Sequence, residues 1–165
     1  MIKIITIISV ILLLSLSIVL FISTTPSTKP LYGSFTYIND DGSVVVVVLT
    51  ESTIYIENLE YEEYKNLEKN AALSLTINYL NENNLPVELG EEFGRIQQDF
   101  MKNMDFSSLY NNKEIPITEV RYDEINNAYD YSIRNPKDGS PGIWLWVDIN
   151  RKEMYLGSKI LIYTR

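Results

Sequence analysis

Ser43–Thr50 reads SVVVVVLT, eight residues with five consecutive valines. Valine is stiff at χ1 and fits a pleated surface, so the run reads as a strand. It is apolar at odd and even positions alike, which predicts an interior strand covered on both faces. Asn39-Asp40-Asp41-Gly42 precedes it and is a hairpin turn signal. Before that, Leu31–Ile38 (LYGSFTYI) is a strand rich in aromatic and β-branched residues. On the other side, Glu51-Ser52 turns the chain into a third strand, Thr53–Asn58.

The period then changes from two to three and four. Tyr61, Tyr64, Leu67, Ala71, Leu75 and Tyr79 recur at helical spacing within Glu60–Glu82, and Asn83-Asn84-Leu85-Pro86 ends that helix. A second helix is expected over Val87–Met104, with Leu89, Phe93, Ile96, Phe100 and Met104 on one face; Gly90 and Gly94 each weaken it. Asp105–Asn112 is a loop or a short helical turn. Ile117–Ile125 and Ala128–Asn135 form a hairpin across Asn126-Asn127, and Pro136–Gly142 is a loop. Ile143–Ile149 alternates strictly, and Met154–Thr164 closes the chain after the turn Asn150–Glu153. The order β-β-β-α-α-β-β-β-β separates strands from helices. It predicts an α+β domain with a mostly antiparallel, curved sheet and two helices packed on one face.

Ahead of this domain, residues 4–22 carry no charge, and only Thr6, Ser9, Ser15 and Ser17 are polar. As a helix they would span roughly 28 Å, close to the ~30 Å hydrocarbon core of a bilayer. The run exceeds the usual apolar region of a cleavable leader, and no Ala occurs before Ala71. Residues 1–23 are therefore read as a transmembrane signal anchor, with a cleaved signal peptide as the alternative. Residues 24–30, rich in Ser, Thr and Pro, read as a stalk, and residues 31–165 as an exported domain. The expected location is the cell membrane, single-pass, with the C-terminal domain outside; cleavage would make it secreted.

Composition excludes several chemistries. The 165 residues include no Cys and no His. Thiol nucleophiles, disulfides, His-dependent triads and His or thiolate metal sites are therefore ruled out. The net charge is −8, with 14 basic and 22 acidic residues, which argues against sequence-independent nucleic-acid binding. No cofactor is expected, and no glycine-rich phosphate loop is present in the sequence. Glu57 with Glu60, or Glu119 with Asp123, could be paired as acid and base, but among 22 acidic residues some pair always fits. Glu119, Arg121 and Asp123 alternate as an outward-facing row would.

The aromatic residues carry more information. Twelve Tyr and two Trp are present. Trp144 and Trp146 share one face of their strand, and Tyr129 and Tyr131 lie on the expected neighbour; the four are the candidate partner or ligand face. The reading that follows is a membrane-anchored module, not an enzyme, that binds a protein partner at the outer membrane surface in an inhibitory, assembly or immunity-type role. The alternative is a small-ligand or lipid-binding domain with an aromatic-lined cavity. A carboxylate-dependent cell-wall hydrolase is the third reading.

Overall fold

The computed structural model describes residues 28–87 and 90–165. The expected membrane segment, residues 4–22, and most of the stalk lie outside them. Among the described residues no helix is long and apolar enough to cross a membrane.

The domain is α+β. Among the described residues nine strands form one antiparallel sheet, β1 Gly33–Ile38, β2 Val44–Leu49, β3 Thr53–Glu57, β4 Glu114–Pro116, β5 Glu119–Asp123, β6 Ala128–Arg134, β7 Pro141–Asp148, β8 Glu153–Leu156 and β9 Lys159–Tyr163. Their order in space is β4-β3-β2-β1-β9-β8-β7-β6-β5. The helices of the described residues, α1 Tyr61–Glu82, α2 Glu91–Met101 and α3 Phe106–Tyr110, fall between β3 and β4. The chain passes from one sheet edge to the other through Ile117 and Thr118 alone. Ile117 N–H donates to the Ser52 carbonyl (2.8 Å) and Thr118 N–H to the Ser132 carbonyl (2.9 Å). Two residues span only about 7 Å, so the sheet curls until its edge strands nearly meet.

Two strands were not distinguished by pattern. β4 is three residues long, too short for a period to show. The stretch Met154–Thr164 is two strands, folded at Gly157-Ser158, where Gly157 takes φ +60°. That left-handed backbone is open to glycine at no steric cost. Here the turn is also held from outside, because the Glu63 carboxylate accepts from Ser158 N–H (3.2 Å) and Ser158 Oγ (2.5 Å).

Register fixes which side chains share a face. Phe35 opposes Val47, Val47 opposes Ile56, Leu145 opposes Leu156, and Tyr131 opposes Leu145. These and their i±2 neighbours form the concave, core-bearing face, where Phe35, Val45, Val47, Ile56, Tyr131, Leu145 and Met154 are essentially inaccessible. The valine run is interior to the sheet, as its composition suggests, but it is covered on one face only. Val45, Val47 and Leu49 are buried, while Val46 and Val48 are half-buried on the convex side and Val44 is exposed.

The helices do not both lie on the sheet. α1 packs against β7 and α3, with Tyr64, Leu67 and Ala71 in the main core. α2 packs against α1, where Phe93 and Ile96 meet Leu80 in a second, smaller core edged by Ile77 and Phe100. Leu89, expected on that face, lies outside the described residues. The buried stripe of α1 is also rotated from the aromatic one. Glu63, Glu68, Ala72 and Thr76 are buried, whereas Tyr61 and Tyr79 are exposed. The buried polar groups of α1 have partners: Thr76 Oγ1 donates to the Ala72 carbonyl (2.8 Å), and the Glu68 carboxylate accepts from Phe106 N–H (2.9 Å) and Lys65 Nζ (2.6 Å).

α2 contains a glycine that packing does not require. A Cβ built on Gly94 meets no atom within 4 Å, and its φ is not positive. Gly94→Ala is expected to stabilise the domain by about 0.5–1 kcal/mol, by removing unfolded-state freedom. Urea unfolding checks this as a higher midpoint at unchanged slope; a lower midpoint would contradict it.

Candidate functional site

The site grows from the alternation of β7. Ile143, Leu145 and Val147 point into the core, which leaves Trp144 and Trp146 on the convex face. Trp144 is 54% exposed, unusual for so large an apolar ring. Trp146 is half-buried and rests on Tyr155 of β8, with ring centroids 4.9 Å apart. The Tyr155 hydroxyl donates to Glu153 Oε2 (2.8 Å), so its ring is held in place beside the indole.

Beside Trp144, α1 passes the strand ends of β6, β7 and β8 and leaves a cleft of about 550 Å³. Leu67 and Ala71 of α1 and Ile133 and Ile143 of the sheet line it, with Trp144 and Tyr155 as its aromatic wall. Asn70, Ser74, Glu119, Ser132 and Arg134 add polar groups to the lining. A smaller hollow of about 240 Å³ adjoins it on β5 and β6, lined by Glu119, Arg121, Asp130, Ser132 and Trp144. Glu119, Ser132 and Trp144 border both, so the two form one groove.

Charge within the hollow is unevenly partnered. Arg121 pairs with Glu119 at 3.0 Å, both of them exposed. Such a pair contributes little to stability. Asp130 makes no hydrogen bond or ion pair within 4 Å among the described residues. Its carboxyl is raised above the ordinary range, first by burial and then by the nearby charge of Asp123, with Arg121 opposing. It is a half-buried carboxylate facing an open hollow beside an indole.

The four aromatic residues expected to form one surface do not. Tyr129 opposes Val147 and Tyr131 opposes Leu145, whereas Trp144 opposes Ser132 and Trp146 opposes Asp130. Directly paired residues share a face, so the tyrosines are concave and the tryptophans convex. Tyr131 is fully buried, and Tyr129 is half-buried between Tyr122 and Tyr131 at 5.0 and 6.2 Å. The Tyr129 hydroxyl donates to the Thr28 carbonyl (2.7 Å), tying the segment that enters the domain to β6. Burial pushes the Tyr131 phenol well above its usual range, and its hydroxyl has no hydrogen-bond partner among the described residues. Tyr131→Phe is therefore expected to leave stability unchanged or raise it by about 1 kcal/mol, measured as a urea midpoint. A loss of that size would reveal a partner for the hydroxyl.

The parts of the site that sequence reading missed are Asp130 and the α1 wall. Asp130 sits between two tyrosines in sequence, and only the β6–β7 register shows that it shares a face with Trp146. Among the described residues no group of three carboxylates is placed to hold a metal ion. Comparison with protein-family models, characterised proteins and solved structures finds no match, so the functional reading rests on the groove.

Proposed function

We propose that the chain is a membrane-anchored interaction module, its acidic domain standing outside the membrane and binding a protein partner through the groove at Trp144. The observation that carries this reading is an indole more than half exposed at the mouth of a cleft, on a face that the helices leave open. Trp, Tyr and Arg are the residues most enriched among interface hot spots, and Trp144, Tyr155, Arg121 and Arg134 border this groove. The uncharged run of residues 4–22 supports the anchor, and the net charge of −8 supports a basic partner over nucleic acid. Cell fractionation with N-terminal sequencing, followed by pull-down from the membrane fraction, tests both halves. The expected result is an uncleaved chain in membranes that retains a protein lost with Trp144→Ala. A soluble chain, or retention that Trp144→Ala leaves intact, would contradict it.

A second reading is favoured by the cleft's volume, since sites for small molecules commonly measure about 300–1,000 Å³. In that case a small apolar ligand, not a protein, would occupy the space between α1 and β7. Trp fluorescence separates the two, because a small ligand would perturb the indoles in the absence of any protein.

A further inference from the structure

The groove has two compartments of different character that share the Trp144 ring. The larger has an apolar base of Leu67, Ala71, Ile133 and Ile143. The smaller holds two carboxylates and one guanidinium: Arg121 contacts Glu119 at 3.0 Å and lies directly across the β5–β6 ladder from Asp130, on which it acts through its charge without an ion pair within 4 Å. Apolar side chains transfer favourably into the first. A cation placed in the second meets one more carboxylate than Arg121 can offset, and an indole wall, and both attract it.

We propose that the groove recognises a short partner segment in which an apolar side chain stands next to a Lys or Arg, the apolar one seated against Ile133 and Ile143 and the basic one at Asp130. This rests on the interaction-module reading and adds the chemistry of the partner. Charge complementarity argues for it twice, locally at Asp130 and globally in the excess of 22 acidic over 14 basic residues. An acidic segment would meet repulsion from both. A purely apolar one would leave Asp130 desolvated and unpaired beneath it, which is costly.

The test uses the full chain in mild detergent against a library of short random peptides. Retained peptides are expected to place Lys or Arg beside an apolar residue. Exchanging that basic residue for Glu should weaken binding about tenfold or more at low salt. Asp130→Asn should reduce this discrimination to less than about threefold, and added salt should reduce it in the unaltered chain. Trp144→Ala should abolish retention. If peptides bind with no basic preference, or the preference survives both Asp130→Asn and high salt, the inference falls while the module reading stands. If no peptide is retained, both fall. A fluorescence response to N-acetylglucosamine oligomers or to lipid would then identify the competing occupant.

Discussion

Gly142→Ala is expected to destabilise the domain by on the order of 3 kcal/mol, the upper end of what overpacking costs. Gly142 is the extra residue of a β-bulge. Ile133 pairs with Ile143 while Arg134 pairs with Pro141, so Gly142 has no partner across the ladder. The bulge brings β6 so close that a Cβ on Gly142 would overlap the Ile133 carbonyl oxygen and the Tyr110 hydroxyl, and approach Asn135 N at 3.0 Å. A side-chain hydroxyl can be removed, but a strand carbonyl cannot move without disturbing the ladder. Tyr110→Phe should therefore restore only part of the loss. Denaturant unfolding of the two single variants and the double variant measures this. A Gly142→Ala chain within about 0.5 kcal/mol of the original would refute the bulge geometry. Gly142 also lines the cleft, so the bulge shapes the site as well as the sheet.

Glu68→Ala is expected to cost about 2–3 kcal/mol, as removal of one partner from a buried polar pair does. Glu68 is 1% exposed, and its carboxylate joins α1 to the first amide of α3. The Lys65 side chain beside it is 35% exposed, so the ion pair itself contributes little. Most of the loss comes from the stranded Phe106 amide and the space left behind. Glu68→Gln preserves a carbonyl acceptor for that amide and should cost about 1 kcal/mol. Equal losses for Ala and Gln would show that the charge, not the hydrogen bond, is what matters. Phe106 and Tyr110 pack edge to face at 5.1 Å within α3, so loosening α3 would also release the ring that backs Gly142.

Much of the fold is legible in the residues because it depends on local period. The valine run, the Glu60–Glu82 helix and the alternation of β7 each show their own type of structure. What depends on register is not legible in the same way. Whether Tyr131 meets Leu145 or Trp144 is decided by the bulge and the loop between β6 and β7. A slip of one residue would exchange the faces. The buried Glu63 and Glu68 were hidden for a related reason. Each looks like solvent-facing helix charge until Ser158 and Phe106, distant in sequence, arrive as partners. Trp144 and Trp146 were legible as a pair on one strand face, from the alternation of β7, but which face of the sheet carries them was not, because that depends on where the helices pack. Asp130 was not legible, because it becomes part of the groove only through its cross-strand neighbours.

The most direct test of the groove's role is site-specific photocrosslinking in intact cells. A photoreactive residue at Ser74, on the α1 wall of the cleft, is compared with one at Glu82, exposed at the far end of the same helix and not part of the cleft. The proposed function predicts a discrete protein adduct from position 74, none from 82, and loss of the adduct when Trp144→Ala is added. No adduct from position 74, or the same adducts from both positions whether or not Trp144 is present, would contradict it.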